Sequence, residues 1–300
     1  MNRITRLALG TVLLLLATGS LAQTAAGNDA DSLRMAALEA LITAPPERAL
    51  PIVDKVLAGN HSAELKERAL FILSQIESPE SQARLLAFAS DSQGELRTEA
   101  IRMIGIGGDE TALASLGDIY RSGDAGVRDA VLEAYLIAGD ADAVFDIATS
   151  TQDEEAFSNA VGMLGAMGAH TQLRELRNRA GLSDSLIEAY AISGDADSLR
   201  ELAMNDSNPA MQLKAIEALG IVGGADVSQL LVDLYRRTTN DDVRDSALQG
   251  MLIAGHDAGV LELYRNAKDA AEKRRLLEYL VIMDSDAVWD LIDTALEGAQ

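Results

Sequence analysis

The chain has 300 residues, 48% of them hydrophobic and only 4% aromatic, and 47 acids against 25 bases give it a formal net charge of −22. That balance excludes nucleic acid as a partner, because phosphate binding needs a Lys/Arg footprint. There is no cysteine, which removes disulfides, thiolate chemistry, Cys-based metal sites and a lipid anchor carried on Cys.

Residues 1–22 read as a secretory signal. Arg3 and Arg6 precede an apolar run from Leu7 to Ala17, and Ser20-Leu21-Ala22 forms a small-x-small cleavage site. The run is shorter than the about 20 residues that a bilayer crossing needs. The expectation is a protein exported across the inner membrane to the periplasm, with no membrane insertion once the signal is cleaved. Residues 23–31 form a short polar leader, and residues 32–300 are expected to make one repeat array.

The repeats decide the fold. Val127-Arg128-Asp129 through Leu136-Ile137-Ala138-Gly139 matches Val243-Arg244-Asp245 through Leu252-Ile253-Ala254-Gly255, and Glu133 to Asp142 matches Glu188 to Asp197. Tyr135 to Ile147 matches Tyr279 to Leu291 in the same phase. These matches place a turn at Pro45, Glu77, Gly108, Gly139, Gly168, Gly194, Gly223, Gly255 and Met283, with a mean spacing near 30 residues. Before each turn, apolar residues recur three or four apart, as in Leu96, Ala100, Ile101 and Ile104, which predicts a helix A. After it, Leu113, Leu116 and Ile119 mark a helix B. Glycine at six of the nine turns supplies a left-handed residue that ends helix A without a Cβ clash. Pro51 lies inside the first helix B and is expected to kink it. No stretch alternates long enough for a strand. Helices of about 11 residues cannot bury their apolar faces alone, so the units must stack.

The pattern Asp/Asn-x-x-Val-Arg-x-x-Ala/Val-x-x-x-x-Leu-x-x-Gly, present at Asp124, Val127, Arg128, Val131, Leu136 and Gly139 and again at Asn240, Val243, Arg244, Ala247, Leu252 and Gly255, resembles HEAT repeats. The short, Gly-ended form is similar to the bacterial subfamily named after the phycobilisome lyases. Over roughly residues 32–297 the resemblance implies an all-α fold, a right-handed α-solenoid of about nine two-helix HEAT-like repeats. It departs from the pattern where Phe157, Gln212 and Lys66 replace the Arg.

Residues that could carry chemistry are few. His61, His170 and His256 fall in three different units without partners one turn away, so no metal site is expected. Gly139–Asp142 and Gly194–Asp197 both read Gly-Asp-Ala-Asp. Alternating carboxylates can bind Ca²⁺, but the twelve-residue loop with its final Glu is absent, and an Asp that caps helix B accounts for the motif. There is no nucleophile motif and no phosphate loop, because Gly105-Ile106-Gly107-Gly108 ends a helix instead of following a strand. No catalytic residue and no cofactor are expected.

Charge placement is more informative. From Asp129 to Leu173 there are eight acids and no Lys or Arg. An acid directly precedes a core Leu or Ile of helix B in seven successive units, at Asp118, Asp146, Glu175, Glu201, Asp233, Glu262 and Asp290. Bases one turn on could support Asp118, Glu175, Asp233 and Glu262 (Arg121, Arg179, Arg236 with Arg237, and Arg265), whereas Asp146, Glu201 and Asp290 have none. Near the end of helix B, Tyr120, Tyr235 and Tyr264 each precede an Arg; they either pack between units or anchor a partner. The expectation is a non-enzymatic scaffold that binds a basic protein through these B-helix residues. A cofactor-handling protein of the lyase-like type and a structural envelope spacer are the alternatives.

Overall fold

The computed structural model describes residues 27–91, 94–284 and 286–297; the expected signal and most of the leader lie outside them. The described chain is all-α and falls into nine helix pairs. The A helices are α1 (Gly27–Glu39), α3 (Ala63–Gln75), α5 (Glu95–Gly107), α7 (Ala125–Ala138), α9 (Glu154–Ala166), α11 (Asp184–Ser193), α13 (Pro209–Val222), α15 (Asp241–Ile253) and α17 (Ala270–Ile282). The B helices are α2 (Pro46–Ala58), α4 (Pro79–Asp91), α6 (Glu110–Ser122), α8 (Ala141–Ser150), α10 (His170–Ala180), α12 (Ala196–Ala203), α14 (Ala225–Arg237), α16 (Asp257–Asn266) and α18 (Asp286–Glu297). α1 begins at Gly27, inside the segment expected as leader, and α2 runs on through Pro51. The helices form two compact units that divide at Leu85 and Leu86, within α4.

Every expected turn lies between an A and a B helix. Glycines 108, 139, 168, 194, 223 and 255 all have positive φ. In the last pair the left-handed residue is Asp284 (φ 51°), one position past the expected Met283. The Gly-Asp-Ala-Asp motifs cap as expected: Asp140 accepts from the Ala143 N–H at 3.0 Å and Asp195 from the Ser198 N–H at 3.2 Å.

In the first unit, Leu65, Ala69, Leu70, Ile72 and Leu73 of α3 are buried, as are Leu50 and Val53 of α2. Arg68 reaches Glu39 at 2.5 Å and Arg84 reaches Asp54 at 2.9 Å, each one repeat back.

The second unit has a period that the 30-residue repeat conceals. Its A helices pack in tight and loose pairs by turns: α5 with α7, α9 with α11 and α13 with α15 pack far more extensively than α7 with α9. The residues at the crossing explain this. A Cβ on Gly105 would stand 2.7 Å from Ala134 Cα, one on Gly165 3.0 Å from Ala189 Cα, and one on Gly220 2.7 Å from Gly250 Cα. At these crossings backbone meets backbone, which only the absence of a side chain permits. The position of Gly105, three before the left-handed residue, is Leu136 in α7 and Leu252 in α15, so no glycine there admits such a close approach. The α7 and α11 helices carry a buried tyrosine instead: Tyr135 donates to the Leu113 carbonyl and Tyr190 to the Leu173 carbonyl, both at 3.3 Å. Burial, with Asp140 nearby, pushes the Tyr135 hydroxyl up to about 12.

Candidate binding surface

The seven B-helix acids do not form one free row. Asp118 is exposed and pairs with Arg121 of its own helix, and half-buried Glu175 pairs with Arg179. Asp233 lies 3.7 Å from Arg237. Glu201, expected to lack a base, is held in two bonds by Arg177 of the preceding B helix at 3.0 and 3.1 Å. Those bonds and the Arg177 charge hold its carboxyl below the usual range. Glu262 pairs at 2.5 Å with Arg236, again of the preceding B helix, and not with Arg265. The physical reason is the stacking: a neighbouring helix about 8–10 Å away brings a long Arg side chain within reach, and pairing within one helix overlooks it. Asp290 is exposed, and Asp146 is exposed with no ion pair reaching it among the described residues.

Tyr120 and Tyr235 are buried, which corrects their assignment as partner anchors; Tyr264 is half-buried. Each ring lies under a cation of the following A helix: Arg128 at 5.8 Å, Arg244 at 5.6 Å and Lys273 at 5.5 Å. The recurrent Val-Arg of helix A and the recurrent Tyr of helix B are two halves of one joint between units.

The A helices make a similar ladder. Arg102 donates to Glu133 at 2.5 Å, Lys214 pairs with Asp184, and Arg275 pairs with Asp245. The most buried carboxylate of the array is Asp195. Burial pushes it up, but hydrogen bonds from Arg174 (2.6 and 3.0 Å) and Ser198 (2.7 Å), with the Arg174 charge, leave it below the usual carboxylate value. His170 Nε2 lies 2.9 Å from the Ser193 carbonyl oxygen, and among the described residues no group of three or more His, Asp or Glu is placed to hold a metal ion.

What the sequence reading missed is a row of exposed aliphatic side chains two positions before the left-handed residue of the A helices. With the last turn corrected to Asp284, that position reads Ile106, Ile137, Ala166, Ile192, Ile221, Ile253 and Ile282 along the second unit. Ile137 is 43% exposed, Ile192 62%, Ile221 64%, Ile253 47% and Ile282 65%. The core of helix A lies at Ile104, Tyr135, Leu164, Tyr190, Leu219, Met251 and Leu280. Two residues further on is about 200° round the helix, so the row faces away from the core. One turn before four of these isoleucines stands a glutamate: Glu133, Glu188, Glu217 and Glu278. Where α11, α13 and α15 meet, Ile187, Ala191 and Ala218 floor an open depression of about 300 Å³, with Ile221 and Ile253 beside it and Asp184, Glu188, Glu217 and Lys214 around it.

Stacked helix pairs joined by left-handed turns, with ladders one repeat long, define an α-solenoid. A family model for HEAT repeats matches residues 55–135 and 193–251. Those two stretches of the chain carry HEAT repeats. Among solved structures it is similar to a chain of the CpcE–CpcF phycocyanin lyase complex from Nostoc sp. PCC7120, at 14% identity over 89% of this chain and 97% of that one, with a TM-score of 0.33. It is also similar to human deoxyhypusine hydroxylase in complex with glycerol, at 17% identity over 88% of this chain and 91% of that one, with a TM-score of 0.34. No curated protein matches.

Proposed function

We propose that the protein is an exported, non-enzymatic adaptor that works in the periplasm after loss of residues 1–22, needs no cofactor, and binds a polypeptide carrying basic groups. HEAT repeats generally mediate protein–protein interaction, and one observation gives the partner its sign. Most described arginines are already committed to ion pairs inside the array, while acids outnumber bases 47 to 25. Asp146 of the B-helix row is reached by no ion pair among the described residues, so a partner that neutralises it must bring its own base. No helix among the described residues is long and apolar enough to cross a membrane.

Two measurements test this. The intact mass of the native protein should correspond to a chain that begins at Gln23; a retained 1–22 segment overturns the export claim. Crosslinking in native periplasm should capture a partner whose association slows as salt rises, because steering by charge is screened. A partner held equally at low and high salt would refute the charge assignment.

A further inference from the structure

We infer that the isoleucine row of the A helices, centred on Ile192, Ile221 and Ile253, is the docking surface for a basic amphipathic helix of the partner; this rests on the adaptor reading above. These three residues stand on α11, α13 and α15, which pack successively against one another. Ile221 and Ile253 line one depression together with Ile187, Ala191 and Ala218, and Ile192 directly follows Ala191. Helix ends gain nothing from a β-branched residue exposed to water, and contiguous exposed apolar surface marks interaction sites. Its recurrence is also independent of packing. The core positions alternate between tight and loose pairs, whereas isoleucine occupies the row in six of seven units.

Charge selects the occupant. Glu188 and Glu217 stand one turn before Ile192 and Ile221 and, among the described residues, no salt bridge reaches either. Glu217 only accepts from the Ser246 hydroxyl at 3.3 Å, and the one base at the rim, Lys214, is taken by Asp184. A second copy, itself of formal net charge −22, would set like charge against this face, and an anionic lipid surface would be repelled likewise. A helix with aliphatic residues and Lys or Arg one turn apart satisfies both rows at once.

The test uses the full-length protein and a fluorescein-labelled Leu/Lys peptide of about 18 residues patterned as an amphipathic helix, read by fluorescence anisotropy. A Leu/Glu peptide of the same apolar spacing and a scrambled Leu/Lys peptide serve as comparisons. The patterned Leu/Lys peptide should bind, and Ile192→Ser with Ile221→Ser and Ile253→Ser should weaken it at least tenfold while circular dichroism and the urea midpoint stay near wild type. Glu188→Lys with Glu217→Lys should weaken it comparably; Asp118→Lys with Asp146→Lys on the B helices should weaken it several-fold less, through the general loss of negative charge alone. Unchanged affinity in the triple isoleucine variant, or equal binding of the scrambled or Leu/Glu peptide, overturns the inference. If instead only the B-helix reversal abolishes binding, the adaptor reading stands and this surface falls. If wild type binds no basic peptide, the reading beneath it falls as well. Sedimentation velocity adds the last outcome: a wild-type dimer that the triple variant converts to monomer assigns the face to a second copy.

Discussion

Gly220→Ala and Gly162→Ala make the same chemical change within an A helix, and they should move stability in opposite directions. In an open helix the change gains up to about 1 kcal/mol, from propensity and from the smaller entropy lost on folding. Around Gly162 a new Cβ would meet nothing within 4 Å, so that gain should appear in full. At Gly220 the new methyl would stand 2.7 Å from Gly250 Cα, beside the Gly250 carbonyl. Backbone cannot turn aside as a side chain can, and overpacking of this kind costs about 1–3 kcal/mol. The two variants should therefore differ by about 1–3 kcal/mol, with Gly220→Ala the less stable. Gly105→Ala, at 2.7 Å from Ala134 Cα, should behave alike, and Gly165→Ala, at 3.0 Å from Ala189 Cα, should fall between. Urea titration followed by helical circular dichroism gives the order, and amide exchange should place the loosening in α13 and α15. If all four variants are stabilised alike, the tight crossings are not what holds these pairs together.

Gly139→Val should cost about 1–2 kcal/mol, measured by urea midpoint, because φ is 74° there although a Cβ would meet no atom within 4 Å. Asp195→Asn should flatten the acid limb of the stability curve: the folded carboxyl lies below its usual value, so its contribution is present above about pH 3.9 and is lost as pH falls toward the folded-state value. An acid limb identical to wild type would show that the Arg174–Asp195 pair adds nothing. Deletion of residues 128–156, one unit joined cap to cap, would set Met163 where Ala134 faced Gly105, and the shortened protein should melt well below wild type. Deletion of residues 128–182, the 55 residues that separate the turns at Gly139 and Gly194, sets Ala189 where Ala134 faced Gly105 and Tyr190 where Tyr135 met the Leu113 carbonyl, and should melt closer to wild type; the reverse order refutes the two-unit period.

The turns, the caps and the two-helix unit were legible because each is written in local residues. Gly108, Gly139 and Gly194 are left-handed for the reason their type implies, and Asp140 and Asp195 cap by their own side chains. Met283 was misplaced by one because its left-handed neighbour, Asp284, is not a glycine. The ladders were not legible. Glu201 and Glu262 look for a base on their own helix in the sequence, whereas Arg177 and Arg236 come from the helix stacked before. For Tyr120 and Tyr235 packing and anchoring both stayed open, because the cations over their rings, Arg128 and Arg244, lie beyond a loop.

The signal that could have revealed the isoleucine row is a contrast between two periods. Three residues before the left-handed position the sequence reads Gly105, Leu136, Gly165, Ala191, Gly220 and Leu252; one residue later it reads Ile106, Ile137, Ala166, Ile192, Ile221 and Ile253. The first series alternates between glycine and a larger residue because neighbouring A helices approach most closely at every second junction. A core position must follow that alternation, since a leucine in place of Gly220 would drive α13 from α15. The second series scarcely alternates, so the packing that sets its neighbour does not set it. Nor does helix formation, which favours leucine or alanine over isoleucine at an exposed site. A constraint that sees every unit alike must act where every unit is alike, and for the second half of this chain that place is the outer ends of the A helices. Glutamates 133, 188, 217 and 278 stand one turn before that row in four of its seven units, which sets the apolar row and its charge on one surface.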